Sequence, residues 1–242
     1  MKYSATNLLA GLLAALVFNA DANAAGVPGQ GSWETTLQGR DLDSNLGNGY
    51  EAYFDTSLNI SWLAQAQAPS GNLSWANAQA YAAGLNVGGV TGWRLPQVTP
   101  SGDGACHFQT AGSDCGYNVN TANSELAHLF YVTLGNLSTV APGGGAQVGG
   151  GLSNTGPFGN VFEGDYWTGS AYAPNPAEEA WMFNTGAGLQ MNSSQPFTLA
   201  VWAVHAGDVA APVPESQTWA LMLVGLAGLA GLARRRHLKY GG

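Results

Sequence analysis

The spacing of apolar and polar positions predicts a short amphipathic helix near the middle of the chain, over residues 74–84. Ser74 stands at its start as an N-cap, and Gly84 follows its last apolar residue as a left-handed terminator. A glycine-rich turn and an extended Trp-Arg-Leu-Pro segment are expected after it. The apolar residues that recur three and four apart on one helical face are Ala78, Tyr81 and Ala82.

A second helix is predicted over residues 124–134, with Asn123 as its cap and Gly135 as its terminator. Alternating apolar residues predict strands on both sides of it. Two short helices with strands of this kind favour an α+β fold with a mainly antiparallel sheet. The predicted strands are residues 33–37, 51–55, 57–63, 165–172, 180–185, 189–193 and 199–204.

The N-terminus has the three parts of a secretory signal peptide. Lys2 supplies the positive charge, residues 8–18 are apolar, and an Ala-Asn-Ala cleavage site ends at Ala24. Residues 1–24 are therefore expected to be removed by signal peptidase, which leaves residues 25–211 as one exported domain.

The C-terminal residues 212–242 carry an apolar segment between two polar motifs. Its predicted helix, at about 218–233, contains fifteen continuous apolar residues that rise only about 22 Å, short of the roughly 30 Å hydrocarbon core. A transient inner-membrane anchor with its arginines on the cytoplasmic side is expected. The flanking motifs are Val213, Pro214 and Glu215 before the helix, and Arg234, Arg235 and Arg236 after it.

Charge narrows the range of partners. Between residues 25 and 215 there are two basic residues, Arg40 and Arg94, against fourteen acids, which gives a formal charge of −12. Nucleic acid is excluded as a partner because its binding depends on neutralising phosphates with lysine and arginine. Sulfated and uronic polysaccharides are disfavoured for the same reason. A neutral sugar, or an acidic one bridged by calcium, stays possible.

Calcium has one candidate site, formed by Asp41, Asp43 and Asn45 at alternate positions of a polar loop. Such spacing begins a calcium-binding loop, but Leu46 stands where that loop needs glycine and Ala52 where it needs glutamate. The alternative is a solvated polar turn. No other cofactor is expected.

Cys106 and Cys115 are the only cysteines, and in an exported chain they predict a disulfide that closes a short loop. Seven tryptophans lie between residues 25 and 215, and most are expected in the core. One or two could still face outward, and an exposed aromatic ring would favour carbohydrate binding.

Several motifs resemble the family of the Legionella collagen-like adhesin C-terminal domain, formerly a domain of unknown function, over residues 33–208. Trp-Arg-Leu-Pro also occurs in relatives of formylglycine-generating enzymes, so the resemblance implies a compact C-type-lectin-like fold. It also implies a buried ion pair of Arg94 with Glu125, because their motifs occur together. The matching motifs are Ser-Trp-x-x-Ala at 74–78, Thr-Gly-Trp-Arg-Leu-Pro at 91–96, Ser-Glu-Leu-Ala-His-Leu at 124–129, Tyr-Trp-Thr-Gly-Ser at 166–170 and Ala-Val-His-Ala-Gly-Asp at 203–208.

The C-terminal segment resembles the Pro-Glu-Pro C-terminal (PEP-CTERM) sorting signal, with Ser216 in place of the second proline. The resemblance implies processing by an exosortase in a Gram-negative bacterium that exports polysaccharide. The cell surface or the extracellular matrix is then the expected destination.

Three functions remain open: a non-catalytic, adhesin-like module that binds exopolysaccharide or biofilm matrix, a secreted enzyme, and a purely structural matrix protein. The exported part offers three histidines, His107, His128 and His205, and has no Gly-x-Ser-x-Gly elbow, so no catalytic residue is assigned. A pocket with exposed aromatic rings and convergent amides would favour the binding module.

Overall fold

A computed structural model describes residues 26–102, 108 and 110–209. The predicted signal peptide and sorting signal lie outside these residues, as do Cys106 and His107. Among the residues described, no helix is long and apolar enough to cross a membrane. The predicted motif residues that also fall outside are Val213, Pro214, Glu215, Arg234, Arg235 and Arg236.

Eight strands form two antiparallel sheets. One sheet has the order β1-β2-β3-β8 and the other the order β4-β7-β6-β5. Together with few short helices, they give the mixed α and β architecture that the sequence predicts. The strands are β1 Leu37–Arg40, β2 Ala52–Asp55, β3 Ile60–Leu63, β4 Gly116–Tyr117, β5 Asp165–Ala171, β6 Glu179–Asn184, β7 Leu189–Ser194 and β8 Val204–Ala206.

The helical segments are short. In the described part of the chain, α1 is Trp33–Thr36, α2 is Trp75–Ala83, and α3 is Glu125–His128, which continues into a π-helical turn at Leu129–Thr133. Two 3-10 turns lie at Leu46–Asn48 and Thr121–Asn123.

The helix α2 begins where the sequence predicts but ends differently. Gly84 has a φ of −84°, so it is not the predicted left-handed terminator. Instead, the last turn tightens: the N–H of Gly84 donates to Tyr81 O at 3.2 Å, and that of Leu85 donates to Ala82 O at 3.1 Å. These bonds satisfy the carbonyls at the helix end without a left-handed residue.

The predicted first strand, residues 33–37, is wrong. The carbonyl of Ser32 accepts hydrogen bonds from the N–H groups of Thr35 and Thr36, each at 2.9 Å. The hydroxyls of both threonines also donate to this carbonyl. This local network closes a helical turn, and the strand β1 begins only at Leu37.

The predicted cap of the second helix is wrong by one residue. The Asn123 amide donates to Asp114 Oδ1 at 3.1 Å, so it is engaged elsewhere. Ser124 is the cap, and its hydroxyl accepts from Ala127 N at 3.2 Å. The predicted strand at 199–204 is also largely wrong, because residues 199–203 bond to several elements in turn and only Val204 enters β8.

Tryptophan fills the interior, as predicted. Five of the seven tryptophans in the described part of the chain are buried, and none is fully exposed. The hydrophobic clusters therefore contain most of the rings that could otherwise have stacked on a sugar. The buried five are Trp62, Trp93, Trp167, Trp181 and Trp202.

Candidate functional site

The segment after β3 alternates alanine and glutamine over residues 64–68. Its three alanines are buried, and its two glutamines, Gln65 and Gln67, point outward. Ala66 N donates to Gly159 O at 2.9 Å and Ala68 N donates to Val201 O at 3.2 Å, which ties the segment to two others. The backbone bends at Ala64 and at Gln67. The alternation of buried alanines with accessible glutamines places both amide side chains on the outer side of the segment.

Asn160 lies beside this segment and pairs with Gln65. Its Nδ2 donates to Gln65 Oε1 at 2.8 Å. The backbone of Gly159 brings the two together, because it pairs with Gln65 and leaves no room for a side chain there: a Cβ at Gly159 would lie 2.9 Å from the Gln65 amide. Gln65 Nε2 and Asn160 Oδ1 have no partner among the described residues, so one donor and one acceptor face outward.

Two tyrosines line the adjoining hollow. Tyr50 is 45% exposed, and its ring lies against Gly39 of β1, where an added Cβ would come within 2.3 Å of ring atoms. Tyr81 lines the same hollow from α2. Burial raises the pKa of the Tyr81 phenol, which keeps this hydroxyl protonated and able to donate.

Two hollows of about 300 and 390 Å³ share Gln65, Gln67 and Pro69 in their linings, so they adjoin each other at these residues. We call the two adjoining hollows the amide groove. Its lining combines a few polar groups with aromatic and aliphatic surface, which is typical of ligand sites. The residues that define it are Tyr50, Tyr81, Gln65, Gln67, Pro69 and Asn160.

The calcium candidate lies next to the groove. Side-chain oxygens of Asp41, Asp43 and Glu51 come within 4.8 Å of one another, and Glu51 also lines the groove. The backbone N–H of Asn45 donates to both aspartates, at 3.1 and 2.9 Å. The Asn45 amide oxygen accepts from Gly47 N at 3.2 Å. These bonds describe a closed polar turn, and calcium at this loop remains a prediction.

Arg94 and Glu125 form the ion pair that the sequence predicts. Two hydrogen bonds of 2.7 Å join the guanidinium to the carboxylate, and Gln97 N donates to the same carboxylate at 2.7 Å. The pair is less buried than predicted, with 31% of the Arg94 side chain and 19% of the Glu125 side chain exposed. It fastens the extended Trp-Arg-Leu-Pro segment to α3.

A separate cavity of about 340 Å³ adjoins Arg94. It is lined by α2, the Trp-Arg-Leu-Pro segment and Gly169 of β5. Gln97 occupies the space above Gly169, where a Cβ would lie 2.4 Å from its Nε2. The guanidinium at this cavity is already neutralised by Glu125, which leaves the cavity without a free charge to recognise a ligand.

His128 is the histidine with an adjacent hydroxyl. Its Nε2 lies 3.1 Å from Ser57 Oγ, and the Ser57 hydroxyl donates to the buried carboxylate of Asp55. Because the Ser57 hydroxyl donates its only hydrogen to Asp55, His128 Nε2 must carry a hydrogen and donate it to Ser57 Oγ. This direction is opposite to that of a base that activates serine. Burial lowers the His128 pKa, against the opposing charge of Asp55.

The two other candidates in the described part of the chain, His205 and Cys115, are packed against neighbouring residues. His205 packs edge-on against Trp93, with ring centres 5.7 Å apart. Cys115 is fully buried, and its Sγ lies 3.4 Å from Gln190 O. Since Cys106 lies outside the described residues, the disulfide remains a prediction that a mass measurement without reductant would test.

The amide groove was missed in the sequence. Its one signal in the sequence is the Ala-Gln-Ala-Gln-Ala alternation at 64–68. Such alternation is typical of a half-buried strand, and glutamine occupies both of its outward positions. The pairing of Gln65 with Asn160, which is 95 residues away, has no local signature. Comparison of the chain with family models found no match, and no curated protein is significantly similar to it.

Proposed function

We propose that this chain is an exported, non-catalytic binding module, held at the cell surface or in the extracellular polysaccharide of a Gram-negative bacterium. Signal peptidase and an exosortase would process its two ends. The amide groove is the observation that carries the proposal, because it presents amide side chains that each keep a hydrogen-bonding group free beside an exposed tyrosine. Such a surface suits the binding of a ligand through hydrogen bonds and ring contacts.

We also propose that the domain belongs with the adhesin C-terminal domain family and has a C-type-lectin-like or formylglycine-generating-enzyme-like fold. Two antiparallel sheets and short helices support this. So does the Arg94 pair, which joins two of the motifs that carry the resemblance.

An enzyme is the weaker alternative. The Ser57 and His128 pair would be its starting point, but the hydrogen bonds run from His128 through Ser57 to Asp55. If the chain were a purely structural matrix protein, its location would not depend on the amide groove.

Fractionation of the producing cells tests the proposal. The wild-type protein is expected in the surface or matrix fraction, and the double variant Gln65→Ala/Gln67→Ala is expected in the medium. Gln79→Ala, on the separate cavity, serves as the matched control and should stay with the matrix. Protein retained in the cytoplasm, or a double variant that remains in the matrix like wild type, would contradict the proposal.

A further inference from the structure

We infer that the amide groove binds an uncharged polysaccharide along its length, with a sugar ring stacked on Tyr50 and neighbouring hydroxyls bound by Gln65 and Asn160. This inference rests on the proposed function and adds the chemical class of the ligand. It is argued from charge, from the free amide groups, from the tyrosine and from the shape of the groove.

Charge selects against an acidic polymer. Both arginines in the described part of the chain are paired: Arg40 with Asp208 at 2.7 Å, and Arg94 with Glu125 at 2.7 Å. Neither is available to a sulfate or a uronate. The groove wall also contains Glu51, so a negatively charged chain would be repelled where an uncharged one is accepted.

The free amide groups match a pair of hydroxyls. Gln65 Nε2 is a donor and Asn160 Oδ1 an acceptor, and the 2.8 Å bond between the two side chains fixes their relative position. Each sugar hydroxyl both donates and accepts. Two adjacent hydroxyls can therefore bond to this pair at once, one as acceptor and the other as donor, whereas a carboxylate could satisfy only the donor.

Tyr50 provides a flat surface of the right kind. Gly39 supports one side of its ring, because a side chain at Gly39 would occupy the position of the ring itself. Tyr53 also packs against Tyr50, with the two rings nearly perpendicular and their centres 5.9 Å apart, and 45% of Tyr50 remains exposed. The C–H face of a pyranose ring packs on such a surface, and the phenol remains free to donate.

The shape indicates binding along a chain rather than at its end. The two hollows meet at Gln65, Gln67 and Pro69. Gln65 and Gln67 line both hollows, and the backbone positions of two alternate residues are at most about 7 Å apart. A polymer can lie across both amides and leave at either end.

Affinity electrophoresis of the exported protein tests this inference. The gels would contain one of four neutral polymers, namely hydroxyethyl cellulose, dextran, galactomannan and mannan, or alginate as the acidic comparison. At least one neutral polymer is expected to retard the wild type, and alginate is not. Tyr50→Ala and the pair Gln65→Ala/Asn160→Ala should each weaken binding roughly tenfold, about the effect of one lost hydrogen bond or packed ring.

Three further variants and a chelator separate the groove from other effects. Gln79→Ala lies outside the groove, so it should bind within about twofold of wild type. Tyr50→Phe keeps the ring but loses the phenol, so it should weaken binding less than Tyr50→Ala does. Gly39→Ala should weaken binding by displacing Tyr50, although its own position is outside the groove. EDTA should change nothing, because the polymer is bound directly and not through calcium.

Three results would overturn the inference: no retardation by any of the four neutral polymers, stronger retardation by alginate, or loss of binding in EDTA. Each is distinct from failure of the proposed function. If the groove variants leave the matrix while no neutral polymer binds, the module stands and only the ligand class is wrong.

Discussion

The Arg94 pair and the amide groove both place polar side chains on a well-supported backbone, yet they differ in how those side chains are used. The Arg94 guanidinium and the Glu125 carboxylate bond to each other, and the carboxylate also accepts from Gln97 N. In the groove, Gln65 and Asn160 bond once to each other and each keeps a group free. The first arrangement is complete within the protein, whereas the second leaves a donor and an acceptor accessible to water or to a ligand.

The residues that carry the recognisable motif are therefore different from the residues that we propose to bind a ligand. Residues 91–96 carry the most distinctive motif, and they form the scaffold. The groove is made from glutamine, asparagine and tyrosine. These residue types are common in proteins, and only their arrangement here is distinctive. Loops and edges of this kind change without disturbing the core, so family resemblance says least about them.

The largest expected effect comes from breaking the scaffold pair. Arg94→Ala should lower the free energy of unfolding by about 3 kcal/mol, because it strands the Glu125 carboxylate. Arg94→Lys should lose less, since the charge remains but the two-pronged geometry does not. Urea unfolding measures the free energy of unfolding of both variants. An Arg94→Ala protein as stable as wild type would show that the ion pair does not stabilise the fold.

A pair of glycines offers a second contrast. Gly135 has a φ of +66°, and a Cβ there would lie 2.4 Å from Gly31 N, whereas Gly71 at the groove has a φ of +79° and open space around it. Gly135→Ala and Gly71→Ala share the left-handed strain of about 1 to 2 kcal/mol, and only the first adds a backbone clash. Thermal melting should therefore show a larger loss for Gly135→Ala. Equal losses would mean that the close approach of Gly31 and Gly135 does not constrain the fold.

The scaffold is also expected to respond to pH through His128. Burial lowers its pKa below the ordinary 6.5, so the unfolded chain takes up a proton at a higher pH than the folded protein does. The contribution of His128 to stability is then fully present above pH 6.5 and decreases as the pH drops below that value. His128→Gln should flatten this part of the stability profile, and an unchanged slope in the variant would assign it to other groups.

The smallest expected effect on stability is at the groove. Gln65→Ala, Gln67→Ala and Asn160→Ala should each change the free energy of unfolding by less than about 0.5 kcal/mol, because these side chains are accessible to water and no buried partner is stranded. Melting curves would show this directly. A loss comparable to that of Arg94→Ala would make the groove part of the scaffold.

Sequence reasoning reached two parts of the structure by different routes. The pair of Arg94 with Glu125 came from the family resemblance, in which their motifs occur together, and α2 came from periodicity. Periodicity failed at residues 33–37, where hydroxyls bonded to the Ser32 carbonyl and closed a turn. It could not reach the groove, because Tyr50 depends on the space at Gly39, and Gln65 meets Asn160 only through the bridge to Gly159.

The side-chain amide signals in the NMR spectrum of the exported protein test the central claim most directly. On titration with a neutral polymer fragment that retards the protein, the account predicts that the NH₂ resonances of Gln65, Gln67 and Asn160 shift together. The resonances of Gln79 and Gln97, at the cavity beside Arg94, should stay in place. Shifts at Gln79 and Gln97 with none at Gln65 would place the ligand beside the scaffold pair and contradict the account.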